Sequence, residues 1–149
     1  MNPADFSKYR YVCDVYDGDV WKSFVESGFL HLPLNFLLTL NVDWFSPFDC
    51  SRYSVGAIYL TIQNLPRSLR YHPDKIILVG IIPGPTEPKH TINSSPAPLV
   101  QELQKAWVSG IAGTTPSGLQ TVIRVALSCV ACDILATRRY LASWVLELH

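Results

Sequence analysis

The chain predicts an α/β domain built on a mixed sheet: three antiparallel strands, then a fourth parallel to the first, with flanking helices. Three observations carry the prediction. Strand-type runs recur at 34–45, 53–62 and 75–82 with short breaks between them, which suits a meander. A helical stripe at 98–108 supplies the crossover that a parallel strand needs. A nearly unbroken apolar run at 122–132 then fits a strand buried on both faces, although its periodicity also fits a helix.

Taken in order, the first element is a short helix. Val20, Trp21, Phe24 and Val25 recur at helical spacing, Asp17 or Asp19 can cap the start, and Gly28 suits the end. In the first strand Leu38, Leu40 and Val42 share one parity, while Thr39, Asn41 and Asp43 share the other. One face is therefore apolar, Asp43 ends the polar one, and Pro47 breaks the ladder. The second strand is rich in β-formers and stops at Asn64-Leu65-Pro66; the third stops at Pro83-Gly84-Pro85. Residues 83–98 carry five prolines and read as an extended loop. Leu99, Val100, Leu103 and Trp107 form the expected buried stripe of the next helix, with Pro98 in its first turn. Residues 110–118 read as a flexible connection, and 134–148 as a closing helix with Leu135, Leu141, Trp144 and Leu148. The expected organisation is one domain over 1–149: an N-terminal extension with a short helix at 1–30, core strands and crossover helix at 34–133, and a divergent C-terminal helix at 134–149.

Composition narrows the function. With 149 residues, 48% hydrophobic and 16% charged, the chain can bury one sizeable core. Its 12 basic and 12 acidic residues cancel, so any contact with nucleic acid must come from a local patch. The most apolar run, 29–40, is interrupted by His31, Pro33 and Asn35 and is shorter than the roughly 20 residues of a membrane span. No secretory leader is visible, so a soluble intracellular protein in a reducing compartment is expected, with Cys13, Cys50, Cys129 and Cys132 as thiols.

The sharpest chemical feature is a pair of aspartates at strand ends, Asp43 after the first strand and Asp133 after the fourth. If those strands are adjacent and parallel, both carboxylates emerge at the same end of the sheet. Carboxylates so gathered bind hard divalent cations, which can activate attacking and leaving oxygens at a phosphodiester. Taken singly, an Asp after a strand is more commonly a turn residue. Cys129 and Cys132 have metal-ligand spacing but no second Cys/His pair at a plausible distance, so they are expected to be buried structural cysteines without zinc. Arg67, Arg70, His72 and Lys75, interleaved with Tyr71, form the densest basic cluster. It could contact phosphates through Arg67, Arg70 and Lys75, although a solvated turn is the commoner explanation.

Several blocks carry a family resemblance. Leu40-Asn41-Val42-Asp43-Trp44-Phe45-Ser46-Pro47-Phe48 and Tyr53-Ser54-Val55-Gly56-Ala57-Ile58-Tyr59-Leu60 come first. Asn64-Leu65-Pro66-Arg67-Ser68-Leu69-Arg70-Tyr71, the run from Ile76 to Pro88, Pro98-Leu99-Val100-Gln101-Glu102-Leu103 and Ala126-Leu127-Ser128-Cys129-Val130-Ala131-Cys132-Asp133 follow in the same order. Together they resemble the catalytic core of CACTA-type (En/Spm-like) DNA transposases, over roughly 13–139. The resemblance implies an RNase H-like fold, here its N-terminal part. It also implies a centre of three acidic residues that binds Mg²⁺ or Mn²⁺ and performs DNA cleavage and strand transfer at transposon ends in the nucleus. Asp43 matches the first acidic position and Asp133 the second, where Ile134-Leu135-Ala136 replaces the family's Leu-Pro-Ala. The family's later Cys-x-x-Cys pair and third acid have no match, and Glu147 is too close to Asp133 to serve. A truncated core of this kind is expected to be under-liganded as an enzyme by itself. The competing expectation is a catalytically inactive transposon-derived remnant, acting as an interaction module or without function, with self-association through uncovered sheet edges.

Overall fold

The computed structural model describes residues 12–48, 53–84 and 97–132. Five strands form one mixed sheet in the order β3-β2-β1-β5-β4: β1 Asn35–Phe45, β2 Val55–Ile62, β3 Ile77–Ile82, β4 Ile111–Thr114 and β5 Gln120–Cys132. Three helices accompany them, α1 Asp19–Glu26, the single turn α2 Arg67–Arg70, and α3 Ala97–Val108. The antiparallel meander β1-β2-β3 and the parallel addition beside β1 both match the expected architecture. The strand count does not, because 111–114 pairs with 120–123 as an antiparallel hairpin. What reads as a flexible connection is thus a fifth strand, closed by a turn in which Gly118 takes φ +84° and its N–H bonds the Thr115 carbonyl.

The core lies between α3 and one face of the sheet. Leu38, Leu40 and Val42 of β1 stand opposite Ile62, Leu60 and Ile58 of β2, and Leu103 of α3 joins this cluster. Val100, Leu103 and Ala106 are the buried residues of α3, one helical turn apart. Each fully buried leucine there contributes about 1.5–3 kcal/mol through removal from water. Trp107 is less buried than the expected stripe implied, at 45% exposed. Residue 107, four after Leu103, keeps to the same side of the helix but sits in its last turn, where its ring meets Phe24 and Phe29 at centroid distances of 6.3 and 5.2 Å.

The strand β5 is also less buried than its apolar run implied: Ala126 is its one buried residue, and Val122 is 56% exposed. It pairs with β4 through 120–123 and with β1 through 124–132, so no stretch of it has strands on both sides among the described residues.

The opposite face of the sheet carries a buried polar layer. Gln63 donates to the hydroxyls of Thr39 (2.7 Å) and Thr61 (3.3 Å), and Thr61 is fully buried. The Asn64 side chain clamps the start of β1, accepting from the Leu37 N–H and donating to the Asn35 carbonyl. These bonds replace water for groups whose burial would otherwise cost about 1–3 kcal/mol each. The C-terminal helix expected at 134–148, most of the proline-rich loop, and Cys50 lie outside the described residues.

Candidate functional site

Asp43 lies near the end of β1 on the polar-layer face, and its side chain is exposed. None of the salt bridges among the described residues uses it. Alternation along β1 places it there: Val42 turns into the core, so Asp43 must turn out. Its neighbours follow from the ladder. Asp43 faces Ala57 across β2, and Ala57 faces Ile81 across β3. Two residues earlier on the same face, Asn41 faces Tyr59, which faces Leu78. Burial raises the Tyr59 phenol above its ordinary pKa, and the negative charge of Asp43 and the nearby Tyr71 push the same way.

The parallel pairing of β1 with β5 contains a register shift that sequence reasoning missed. Leu38 partners Leu127, but Thr39 partners Cys129, so Ser128 is an extra residue in β5. Its hydroxyl donates to the Leu38 carbonyl at 2.9 Å, and the neighbouring Thr39 hydroxyl lies 3.5 Å away. Beyond this bulge the parity of β5 reverses. Val130 and Cys132 pair with Leu40 and Val42 and pack on the core, while Cys129 and Ala131 join the Thr39–Asn41 face. The last described pair is Val42 with Cys132, each immediately before a predicted metal ligand. Asp133 itself lies outside the described residues. Had the earlier register continued, Cys132 would have stood opposite Asp43, leaving 133 opposite Trp44 on the wrong face. A serine inside an apolar strand pattern was the signal available.

The bulge also corrects the reading of the cysteines as a buried pair. Cys132 packs against the core, but Cys129, placed on the other face, is exposed. No disulfide joins the described cysteines. Among the described residues no group of three or more His, Cys, Asp or Glu side chains gathers to hold a metal ion.

The basic cluster divides. Arg70 turns inward: it is 3% exposed, bonds the Asp14 carboxylate at 2.7 Å and the Leu65 carbonyl at 3.2 Å, and lies 5.3 Å from the centroid of the Tyr16 ring. The Tyr16 hydroxyl in turn donates to the Leu65 carbonyl at 2.9 Å. This knot ties the N-terminal segment to the β2–β3 connection. The Arg70 hydrogen bond holds the Asp14 carboxyl below its ordinary pKa, against the opposing effect of burial. Arg67 and Lys75 remain at the surface, where Arg67 donates to the Cys13 carbonyl and Lys75 pairs with Asp74 at 3.1 Å. His72 also bonds Asp74.

No described helix is long and apolar enough to cross a membrane. Searches among curated proteins and among solved structures gave no match. The family model described as "Transposase family tnp2" matches residues 11–143, which takes in the whole described sheet. Matched over most of its length, the chain belongs to the transposase family tnp2.

Proposed function

We propose that this chain supplies two carboxylates, Asp43 and Asp133, to the divalent-metal centre of a CACTA-type transposase with an RNase H-like core. The parent protein would cleave DNA and transfer strands at transposon ends in the nucleus. The observation that carries this reading is the parallel β1–β5 pairing with Val42 opposite Cys132. Each aspartate lies one peptide unit, about 3.8 Å, beyond its member of that pair. Neighbouring strands run about 4.8 Å apart, so the same register continued by one residue would bring both carboxylates to one end and one face. The donor chemistry fits a hard cation: Asp43 is an exposed carboxylate outside the described ion pairs, with the small Ala57 opposite it. Bound Mg²⁺ or Mn²⁺ would supply polarisation of the phosphodiester and activation of the attacking oxygen. The chain's own part is to offer two anionic ligands from adjacent strands of the sheet. Arg67 and Lys75 would contact the phosphates of the bound DNA.

The test is a calorimetric Mn²⁺ titration of the chain and of its Asp43→Asn and Asp133→Asn variants. Each substitution should weaken binding about tenfold or more, since a shared site loses one anionic ligand. Unchanged affinity in either variant removes that residue from the site.

A second reading, a non-catalytic interaction module, is favoured by the apolar exposure of edge strand β3, where Ile77, Leu78, Val79 and Ile81 are all exposed. It predicts self-association through that edge. A nuclease assay with Mg²⁺ or Mn²⁺ separates the two, because cleavage that depends on Asp43 and Asp133 excludes it.

A further inference from the structure

The pairing of β1 with β5 is interrupted between Leu38–Leu127 and Thr39–Cys129, and the residue left over is Ser128. Bulges are rare between parallel strands, and those near functional sites re-aim the side chains beyond them. Apolar burial by itself barely selects this register. With the bulge, Val125, Leu127, Val130 and Cys132 pack on the core. An unbroken ladder would turn Val125, Leu127, Cys129 and Ala131 toward it instead, so the two sets differ only by a valine in place of an alanine.

The polar side supplies the rest. The Ser128 hydroxyl donates to the Leu38 carbonyl at 2.9 Å. A hydroxyl has one proton to give, so in the 3.5 Å contact between Thr39 and Ser128 the donor is Thr39. Thr39 in turn accepts from the Gln63 amide at 2.7 Å. The relay from Gln63 through Thr39 and Ser128 to Leu38 thus runs one way across three strands, and its first two side chains are buried. In an unbroken ladder Ser128 would pair with Thr39. Its side chain would then stand perpendicular to the sheet, turned away from the Leu38 carbonyl.

We propose that Ser128 is a positioning residue for the metal centre, its hydroxyl holding the bulge that brings position 133 onto the face of Asp43. The inference rests on the reading above for the role of the two carboxylates. In the bulged register Val42 stands beside Cys132, so the next pair would be 43 with 133. In the unbroken one Cys132 would pair with Asp43, and 133 would follow Trp44 to the core side. Ser128 acts through the pairing of the strands and not through contact with a metal. One consequence separates this role from that of an ordinary strand serine. Deleting Ser128 leaves Leu127 and Cys129 adjacent, so Thr39 and the residues beyond it keep their partners. Removing the residue should therefore do less harm than replacing it.

The experiment compares the full chain with Ser128→Val, Ser128→Thr and a Ser128 deletion by methyl NOE spectroscopy, with a Mn²⁺ titration of each. Threonine and valine share a shape, so that pair isolates the hydroxyl. The parent, Ser128→Thr and the deletion should all keep the contact between the Val130 methyls and Leu40, with Mn²⁺ affinities within about twofold of one another. Ser128→Val should transfer the Val130 contact to Asn41 and weaken Mn²⁺ binding about tenfold, as loss of an anionic ligand does. Ser128→Ala disturbs packing less and should show both contacts together, which keeps the test open if Ser128→Val does not fold. A Val130–Leu40 contact undisturbed in Ser128→Val or in Ser128→Ala overturns the proposal. So does a deletion variant in which Val130 leaves Leu40. A transferred contact with unchanged Mn²⁺ affinity upholds the hold of Ser128 on the register and sinks the shared metal site, so the two readings fail separately.

Discussion

Replacing Gly56 with alanine would push a methyl group into space already filled by the Trp44 indole. Gly56 is buried in β2 directly opposite Trp44, the residue after Asp43. A Cβ built there stands 2.9, 3.0 and 3.2 Å from three indole carbons, Cζ2, Cε2 and Cη2. Ordinary carbon contacts are about 3.5–4.0 Å, so the ring must retreat by roughly half an ångström or more. It has little room, because Trp44 packs against the hydrophobic core and its Nε1 is already buried without a hydrogen-bond partner among the described residues. Overpacking of this kind costs about 1–3 kcal/mol. For a chain of this size that corresponds to a fall in Tm of roughly 4–8 °C for a cost near 2 kcal/mol. Thermal unfolding followed by circular dichroism measures it directly. Trp44→Phe removes the atoms in conflict, so a double-mutant cycle should show Gly56→Ala to be far less damaging in the Trp44→Phe background, with coupling of about 1 kcal/mol or more. The ring is tethered to the backbone next to Asp43, so Gly56→Ala should also weaken Mn²⁺ binding. A Tm within a degree of the parent's, or equal damage in both backgrounds, would refute the close-approach argument.

Two further outcomes are expected. Asp14 has its pKa lowered from 3.8, chiefly by the bond to Arg70, so its stabilising contribution is present above 3.8 and lost as pH falls through the lowered value. Asp14→Asn should therefore be less stable than the parent at neutral pH in urea unfolding, with the gap closing in strong acid; a gap independent of pH would mean that the charge contributes nothing. Leu103→Ala empties the centre of the α3–sheet contact, where Leu103 is 8% exposed, and should cost about 2–5 kcal/mol with an unchanged denaturant slope.

Much of the sheet was legible because alternation is a local property. Leu38, Leu40 and Val42 against Thr39, Asn41 and Asp43 declares which side of β1 meets the core, whatever lies next to it. The β4–β5 hairpin was hidden because Ile111-Ala112-Gly113-Thr114 is too short to show a period, and Thr115-Pro116-Ser117-Gly118 reads equally as a loop or as a hairpin turn. The basic cluster misled for a different reason. An arginine spaced like a phosphate contact looks the same in sequence whether it faces water or, as Arg70 does, an aspartate 56 residues away.

By itself the amino-acid sequence determined the polarity of the two faces of β1, the helix that crosses the sheet, and the carboxylate Asp43 near the end of β1. Those depend on side-chain order along one segment. Only the tertiary structure decided the register of β1 against β5, and with it which residues of β5 share a face with Asp43. Register is set by pairing between segments some 90 residues apart, and one unpaired serine at 128 reverses every side chain beyond it.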